Sequence, residues 1–502
     1  MKKLIIPITI FLISACVSSP EPKVYEPTWE SLSAHEAAPE WFRDAKLGIY
    51  FHWGVYSVPA FGNEWYPRWM HFEARPEYAH HLEKYGHPSE FGYHDFVPMF
   101  KAENFNAEEW ADLFVKAGAK FAGPVAEHHD GFSMWDSEAT PWNAADKGPG
   151  RDITGELEKA IKERDMRFIT TFHHAKQLQR FDSVNYDHRG LGFRNSHYPY
   201  FEGMPTTSDD EELKYLYGNI PEQQWLEEVW FGKLKEVIDQ YQPDIMWFDS
   251  WLDRIPEEYR LKFSAYYLNE AEKWNKEVVI VRKQDDLPLN YTVDDLEKSR
   301  KNKLEPDPWM TDETISKGSW CYTEDLQIKA SADVLHVLID IVSKNGILLL
   351  NISPKADGTI PDDQRKVLLD MGSWLEDYGE AIYATRPWYT FGEGPTKEPE
   401  GHFKNNKEFL KIKYSAKDIR YTTKGDIVYA ILLGWPGSGE EVLLEAFSAE
   451  AVPGSLDIKS VDLLGSGEKL NWEAGDSGLK VSLPENAPDE MAVVLKIKVK
   501  ST

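Results

Sequence analysis

The chain has 502 residues and a formal net charge of −28, and 42% of its residues are hydrophobic. This composition excludes an intrinsically disordered chain, a collagen and a coiled coil, and it suffices for one large domain and a smaller one. Because so acidic a surface repels phosphate backbones, we expect no nucleic-acid partner. The 19 tryptophans exceed what core packing usually needs, and their flat faces suit ligands such as sugars.

Residues 1–15 have the layout of a secretory signal. Lys2 and Lys3 precede an apolar stretch over 4–12, which is too short to span a bilayer, and small residues come before Cys16. The letters ISAC at 13–16 resemble a bacterial lipoprotein signal, in which the cysteine is lipidated. We therefore expect an exported protein in the periplasm or at the outer membrane or cell surface, with Cys16 as its only membrane anchor and 16–34 as a tether. A plain secretory peptide is the alternative.

From Trp41 onward, short apolar runs alternate with helical patterns, which is typical of βα units and a parallel sheet. The first clear helix follows the capping residue Asn106 and ends before Gly118. The predicted strands are 121–125, 167–173, 244–249, 278–283 and 347–352. The pattern predicts an α/β fold, with a (β/α) TIM-like barrel over residues 35–388.

The pattern changes after Trp388. A stretch rich in glycine, proline and lysine runs to Asn406, and short alternating strands follow at 409–414, 427–433 and 491–497. This predicts a C-terminal antiparallel β-sandwich over residues 389–502. We expect it to brace the barrel, because its strands show no obvious row of exposed aromatic residues.

Polar and aromatic clusters end nearly every predicted strand of the barrel. They are YFHWG at 50–54, EHHDG at 127–131, TFHHA at 171–175, WFDSW at 247–251 and VRK at 281–283. The carboxyl ends of barrel strands form the active face, and alternate side chains of a strand share one side. One cavity can therefore collect His52, His173, Trp247 and Asp249.

Two chemistries could use such a cavity. A metal hydrolase often takes its ligands from an HxH pair on one strand, but the histidine pairs here are adjacent, so their side chains point to opposite sides. Glycoside hydrolysis needs two carboxyl groups, one as nucleophile or base and one as an acid with a raised pKa. Asp249 is the natural nucleophile, and this chemistry needs neither a metal nor an organic cofactor.

Several stretches resemble the α-L-fucosidases of glycoside hydrolase family 29, in particular bacterial ones. They are FHWGVYSVPAFGNEWY, EHHDGFSMWDS, DIMWFDS, SWCYTED and NGILLLNISPKADGTIPDDQR. The resemblance runs from about 41 to 388, and 418–436 resembles the C-terminal β-sandwich of the same proteins. It implies an imperfect (β/α) barrel and an exo-acting retaining hydrolase that removes terminal α-L-fucose from oligosaccharides or polysaccharides.

The resemblance also implies roles for individual residues. It makes Asp249 the nucleophile, and it places the acid/base at Glu297 in the segment DDLEKSR (294–300), with Glu305 and Glu313 as rivals. The residues expected to contact fucose are His52, Glu64, Trp65, His128 and His129. Four further residues are expected to contribute to the substrate site: His173, Trp247, Lys283 and Trp320.

Three positions depart from the family pattern. Glu127 stands where many relatives have lysine, Thr171 where well-known members have tyrosine, and Lys283 where some have arginine. We expect these changes to alter substrate detail and not reaction class. His173, on the same strand face as Thr171, could supply the missing hydrogen bond.

The sequence leaves other functions open. The nearest is a related exo-glycosidase such as an α-L-galactosidase, and the others are a non-catalytic glycan-binding surface lipoprotein and a metal hydrolase. The linkage, the aglycone, sulfated fucans as substrates and the oligomeric state are also open. The acidic composition argues against a broad polyanion-binding surface, yet it is compatible with a small basic subsite.

Overall fold

A computed structural model describes residues 23–179, 196–399, 406–452 and 456–501. These residues form a closed barrel followed by two antiparallel sheets. The predicted signal at 1–15 and the predicted anchor Cys16 lie outside the described residues.

Eight parallel strands close the barrel, and β1 pairs with both β2 and β8. The strands are β1 (Leu47–Phe51), β2 (Phe121–Glu127), β3 (Arg167–Phe172), β4 (Ile245–Phe248), β5 (Val279–Arg282), β6 (Val293–Glu297), β7 (Trp309–Thr314) and β8 (Gly346–Ile352). The prediction of an α/β barrel is confirmed.

The described helices begin before β1 and continue into the C-terminal region. They are α1 (Trp29–Leu32), α2 (Glu40–Ala45), α3 (Tyr66–Trp69), α4 (Pro76–Lys84), α5 (Ala107–Lys116), α6 (Ile153–Lys162), α7 (Glu211–Tyr217), α8 (Glu222–Gln224), α9 (Gly232–Tyr241), α10 (Glu257–Trp274), α11 (Ser331–Ser343), α12 (Asp362–Tyr378) and α13 (Asn406–Phe409). A π-helical segment, Trp225–Phe231, joins α8 to α9. Short 3-10 helices lie at Val55–Ser57, Tyr93–Met99, His174–Lys176, Pro205–Thr207, Leu252–Arg254, Gly379–Ala381 and Glu445–Phe447.

Helix α5 shows how local sequence sets these boundaries. The Asn106 side chain accepts hydrogen bonds from the backbone N–H groups of Glu108 and Glu109, which caps the first turn as predicted. Trp110 and Phe114 are buried on one face. Gly118 then adopts a φ of +87°, a left-handed conformation that ends the helix and favours glycine.

The barrel is imperfect between β5 and β7. These described segments connect β5 to β6 and β6 to β7 without a helix. The sequence pattern did not predict β6 or β7, because the β6 letters VDDLE are acidic and have low strand propensity. Glu297, in a segment for which no strand was predicted, is the last residue of β6.

Apolar side chains fill the barrel interior below the carboxyl ends of the strands. Among those buried in the interior are Ile169, Ile245, Val279 and Leu349, from β3, β4, β5 and β8. This packed interior leaves the carboxyl end of the barrel as the place for a cavity.

The N-terminal segment corrects the predicted tether over 16–34. Tyr25 and Leu32 are buried in the main core, and the backbone N–H of Tyr25 donates to Asn269 Oδ1 of α10 at 2.8 Å. The Thr28 side chain caps α1. These contacts bury apolar surface, so from Tyr25 onward the chain is part of the catalytic domain.

The C-terminal region forms two antiparallel sheets. The strands are β9 (Arg386–Glu393), β10 (Ile419–Lys424), β11 (Ile427–Leu432), β12 (Glu441–Leu444), β13 (Leu456–Leu463), β14 (Glu468–Lys469), β15 (Trp472–Gly475), β16 (Gly478–Ser482) and β17 (Val493–Ser501). One sheet has the order β14-β13-β17-β11-β10-β9 and the other β12-β16-β15. Side chains such as Tyr421, Leu432, Leu479 and Val481 form a shared core, so the predicted β-sandwich is confirmed.

Two boundaries within this region differ from the prediction. The expected strand at 409–414 does not form, because Asn406–Phe409 is a short helix and the residues after it make no ladder. The expected domain boundary after residue 388 falls inside β9, which pairs with β10 from Arg386 onward.

A buried ionic network joins the sandwich to the barrel. Asp340 of α11 is wholly buried and lies 2.8 Å from Lys344 Nζ and 2.6 Å from Arg420 Nε of β10. Because a buried carboxylate is stable only when paired, this contact supports the bracing role expected for the sandwich. None of the helices in the described parts of the chain is long and apolar enough to cross a membrane.

Candidate active site

A cavity of about 550 Å³ opens at the carboxyl ends of the barrel strands. All the predicted catalytic and substrate-site residues line it except Trp247: His52, Glu64, Trp65, His128, His129, His173, Asp249, Lys283, Glu297 and Trp320. The structure therefore brings together side chains that lie up to 268 residues apart in the sequence, from His52 to Trp320.

Asp249 follows β4 and lies deep in this cavity. Its Oδ1 is 3.1 Å from Lys283 Nζ, and its Oδ2 is 3.2 Å from His129 Nε2. Burial by itself would raise the pKa of this carboxyl, but the Lys283 charge and the contact with His129 outweigh it and hold the pKa well below its usual range. Asp249 is therefore ionised, as a nucleophile must be.

Glu297, at the end of β6, contacts the same Lys283 ammonium group. Its Oε2 also lies 3.1 Å from Lys283 Nζ. Because both carboxylate oxygens lie 3.1 Å from the same nitrogen, they are at most about twice that distance from each other. This limit is compatible with the separation of roughly 5 to 5.5 Å between the carboxyl groups of a retaining pair. Burial raises the pKa of Glu297, and the nearby charges of Asp312 and Asp249 add to this against the opposing effect of Lys283.

The two carboxyl groups thus have pKa values displaced in opposite directions. Glycoside hydrolysis requires such a difference, because the nucleophile has to be ionised and the acid has to carry a proton. Lys283 also lies close to a third carboxyl, because its Nζ is 3.1 Å from Asp312 Oδ2. These acids raise the pKa of Lys283 well above its usual value despite burial, so the lysine stays charged.

Asp312 and Asp295 form a floor that the sequence analysis did not identify. Asp312 lies on β7, is buried, and accepts a hydrogen bond from Tyr50 Oη at 3.0 Å. Burial and the charge of Asp312 raise the pKa of Asp295, which therefore keeps its proton. The β7 letters WMTDET show no clear apolar alternation, so the sequence pattern gave no signal for Asp312.

His52 is oriented by Asn351 of β8. Its Nδ1 donates to Asn351 Oδ1 at 2.8 Å, and the amide of Asn351 is itself held by Thr314 and the carbonyl of Trp320. Burial lowers the pKa of His52 to about 3, so the ring is neutral and its Nε2 is a hydrogen-bond acceptor.

His128, His129 and His173 surround the same space. The ring of His173 lies 4.6 Å from that of His128 and 5.2 Å from that of His52, measured between centroids. Burial lowers the pKa of all three histidines. A group of neutral imidazoles offers both donors and acceptors to sugar hydroxyls.

Among the residues that the structure describes, His52, His128 and His173 form a group that could hold a metal ion, since one nitrogen from each lies within 4.8 Å of the others. Nitrogens on one tetrahedral zinc ion lie roughly 3.3 Å apart, given Zn–N bonds of about 2.0 to 2.1 Å. Nitrogens within 4.8 Å of one another are compatible with a shared sugar hydroxyl or with a metal ion at the centre of the triad.

Glu64, Trp65 and Trp320 form another part of the cavity wall. Glu64 Oε2 accepts a hydrogen bond from the Trp320 N–H at 3.1 Å, and burial raises the pKa of this carboxyl. The Trp320 ring stacks on His52 at 5.2 Å, and Trp65 lies 4.9 Å from His129. Trp247 takes a different place: it is wholly buried beneath the cavity, with Lys283 Nζ 4.7 Å above its ring.

Two departures from the family pattern also lie outside the cavity wall. Glu127 was expected to place a reversed charge beside the pocket, but both of its carboxylate oxygens pair with Lys233 Nζ, at 2.8 and 2.7 Å, and both side chains are fully buried. Lys233 on α9 therefore neutralises the charge of Glu127. Thr171 Oγ1 turns to the carbonyl of Pro124 and leaves the space above it to His173.

Glu305 and Glu313, the rival acids, lie elsewhere. Glu305 faces Lys303 at 3.9 Å, and Glu313 pairs with Lys329 at 2.8 Å. Neither lines the cavity.

The rim of the cavity contains residues that sequence reasoning missed. They are Asn63, Trp69, Arg75, Lys176, Ser250, Trp251 and Gln284. Trp251 ends the strand-end segment WFDSW and Lys176 directly follows TFHHA, so their sequence position indicated the active face. Trp69 in α3 and Arg75 just before α4 are far from any predicted strand end, and no sequence pattern indicated them.

Comparisons with known proteins agree with this geometry. The family model for α-L-fucosidase matches residues 12–380, and the model for the α-L-fucosidase C-terminal domain matches residues 413–498. A plasma α-L-fucosidase from Pongo abelii is 35% identical over 478 residues, which cover 92% of this chain and 89% of the relative. A tissue α-L-fucosidase from Homo sapiens is 31% identical over 495 residues, or 96% and 92% of the two chains.

A solved structure of the Thermotoga maritima α-fucosidase in complex with fucose superposes with a TM-score of 0.72. It is 29% identical and the match covers 94% of this chain and 99% of that one. The barrel, the sandwich and both family models therefore agree along nearly the whole sequence, and this chain belongs to the α-L-fucosidase family of glycoside hydrolases.

Proposed function

We propose that this protein is an exo-acting, retaining α-L-fucosidase that works by double displacement on fucosylated glycans. The observation that carries the proposal is the contact of Asp249 and Glu297 with one ammonium group, Lys283, at 3.1 Å each. Their pKa values are displaced in opposite directions, which favours the ionised form of Asp249 and the protonated form of Glu297.

In the first step, an Asp249 carboxylate oxygen attacks the anomeric carbon of fucose. The bond from that carbon to the glycosidic oxygen breaks, and Glu297 gives its proton to the departing oxygen. The product is a fucosyl ester on Asp249 and a free alcohol. Lys283 keeps Asp249 ionised for this attack.

In the second step, Glu297 is a carboxylate and takes a proton from water. The water oxygen attacks the anomeric carbon, and the bond to Asp249 breaks. Two inversions give net retention, and both residues return to their starting protonation states.

The sugar itself would occupy the inner half of the cavity. His52, His128, His129, His173 and Glu64 supply polar groups for its hydroxyls, and the faces of Trp65 and Trp320 suit its apolar C6 methyl side. The filled barrel interior closes the bottom of this space, which supports removal of terminal residues. Trp247 and Lys283 shape the floor beneath.

The proposal is tested with 4-nitrophenyl α-L-fucoside and the variant Asp249→Gly, with and without azide. We expect turnover by the wild type, loss of turnover in the variant, and rescue by azide with β-fucosyl azide as the product. An azide product of α configuration would contradict attack on the face that Asp249 occupies.

Further arms separate the alternative functions. The matching L-galactoside tests the related exo-glycosidase, and a chelator tests metal-assisted hydrolysis through the histidine triad. Binding of fucosylated glycans without sugar release by folded wild type would favour the glycan-binding lipoprotein.

We further propose export and lipid attachment at Cys16. The support is the charge, apolar stretch and ISAC pattern at the start of the sequence. Labelled fatty acid should be incorporated into the full chain expressed in a bacterium, and Cys16→Ser should abolish it. Incorporation that persists in Cys16→Ser would contradict the assignment.

A further inference from the structure

The outer half of the cavity wall differs in charge from the inner half. The acids that line the cavity, Glu64, Asp249, Glu297 and Asp312, belong to the wall and floor already described. The rim is Asn63, Trp69, Arg75, Ser250, Trp251 and Gln284, with Lys176 behind it. Among the described lining residues of this rim, none carries a carboxylate.

Arg75 is the rim residue best placed to contact a ligand. Its guanidinium lies 4.2 Å from the centre of the Trp69 ring, and its Nε is 3.4 Å from Glu77 Oε2. Glu77 is buried, whereas the Arg75 side chain is 37% exposed and lines the cavity. The stacking and the contact at Nε hold the planar group in place, and its terminal N–H groups are within reach of the cavity.

A second positive region lies across the rim at Trp251. Lys176 Nζ is 3.7 Å from the centre of the Trp251 ring, and the Arg254 guanidinium is 5.2 Å from it. Lys176 is fully buried, so it acts through its field and not by direct contact. Burial, followed by the charges of Arg68 and Arg254, lowers the pKa of Lys176 to about 7 against the opposing effect of Asp249, so Lys176 is only partly charged at neutral pH and Arg75 remains the principal cation of the rim.

The backbone at Trp251 is unusual. It has a φ of +85°, a left-handed conformation that bulky residues seldom adopt. Such strain persists where the surroundings require one position of a side chain. Here it holds an aromatic face at the rim, two residues after Asp249.

We propose that this rim binds the unit to which fucose is attached, and that it selects an aglycone sugar with an anionic group, a sulfate ester or a carboxylate. The inference rests on the proposed function, since it names the substrate class of the same site. Arg75, stacked on the buried Trp69 ring, binds the anion with two parallel N–H groups, and the partly exposed Trp251 lies beside the sugar ring.

The acidic character of the whole chain means that a preference for an anionic aglycone would require cations placed at the site. With a net charge of −28, the protein as a whole repels anions, so selection for one has to come from a small set of placed cations. A guanidinium suits this purpose, because its fork matches the geometry of two oxygens on one sulfate or carboxylate.

The test compares fucosyl disaccharides that differ only in the aglycone sugar. One is neutral, one has a 6-sulfate on the aglycone, and one has a 6-carboxylate in its place. We expect kcat/KM to be about tenfold higher for an anionic partner than for the neutral one, as one charge-assisted contact would give. The sulfate and carboxylate arms show which anion is selected.

The ratio of kcat/KM for anionic over neutral substrate is then measured in three variants. Arg75→Gln should bring the ratio to about 1, and Arg75→Lys should keep part of it, since a lysine retains charge without the fork. Lys84 is an exposed residue of helix α4, which begins directly after Arg75; Lys84→Gln removes one positive charge away from the cavity and should keep the wild-type ratio.

A wild-type ratio of 1 or less would overturn the inference while neutral fucosides are still hydrolysed. A wild-type preference that survives in Arg75→Gln would overturn the assignment to Arg75. Failure to hydrolyse any of the fucosides would instead contradict the proposed function, so the two failures are distinct.

Discussion

Lys283 Nζ lies 3.1 Å from Asp249 Oδ1, in a pocket where Lys283 is almost fully buried. A buried ammonium and a buried carboxylate stabilise each other's charged forms. The same ammonium contacts Glu297, so one side chain influences both the proposed nucleophile and the proposed acid.

The first prediction concerns Lys283→Met. Burial raises the pKa of Asp249 and Lys283 lowers it, so loss of the lysine should raise this pKa and move the acidic limb of kcat/KM against pH upward by about 1 to 3 pH units. Lys283 also lowers the pKa of Glu297, so the alkaline limb should move upward as well.

Lys283→Arg is the matched control, because it keeps the positive charge. It should leave the limbs close to their wild-type positions, even where kcat falls. If the limbs of Lys283→Met coincide with those of the wild type, the ammonium does not set the protonation of this site.

The second prediction concerns Glu297→Gln. Without the proton donor, kcat/KM for a fucosyl disaccharide should fall by about 10² to 10⁴-fold, whereas a fucoside with a good aryl leaving group should lose far less in its first step. The alkaline limb of the pH profile should also disappear, because it reports the ionisation of this acid.

Glu305→Gln provides the comparison, since Glu305 was a rival in the sequence and lies outside the cavity. It should retain both the rate and the alkaline limb. An equal loss on both classes of substrate in Glu297→Gln would assign Glu297 a role in binding and not in proton transfer.

The third prediction concerns His173→Ala. The ring lies among His52 and His128, where we propose that sugar hydroxyls bind, so its removal should raise KM about tenfold, with a smaller change in kcat. Steady-state kinetics with the 4-nitrophenyl fucoside separate the two constants.

His174→Gln is a neighbouring control. The His174 Nε2 contacts the carbonyl of Trp230 on the outer side of the strand end, so this variant should lower thermal stability more than it changes KM. An unchanged KM in His173→Ala would remove His173 from the sugar pocket.

The fourth prediction concerns the buried pair of Glu127 and Lys233. Glu127→Gln should lower the free energy of unfolding by about 3 to 5 kcal/mol, because it leaves a buried ammonium without its ionic partner. The double variant Glu127→Met and Lys233→Met should recover much of this loss. Urea unfolding measures both, and a loss below about 1 kcal/mol in Glu127→Gln would show that the pair is not a major source of stability.

The position of Asp249 illustrates how far local sequence reaches. An apolar run ending in a polar cluster is enough to predict a strand and to place its last residues on the active face. The same reasoning located His52, His128, His129 and His173, and the fold class followed from the repeated alternation of strands and helices.

Glu297 shows where local sequence stops. Its segment, VDDLE, has the composition of a solvated loop, and it becomes a strand only because β5 and β7 flank it and pair with its backbone. Its acidic residues are tolerated there because Lys283 and Asp312, from two other strands, complete the charge pattern.

The sequence by itself therefore determined the barrel, the sandwich and the nucleophile's place at a strand end, since these depend on local periodicity and on capping residues. Only the tertiary structure decided which carboxyl groups share Lys283, in which direction the pKa of each is displaced, and where the cations of the rim lie. Those properties depend on distances and burial among residues far apart in the chain, and no local pattern encodes them.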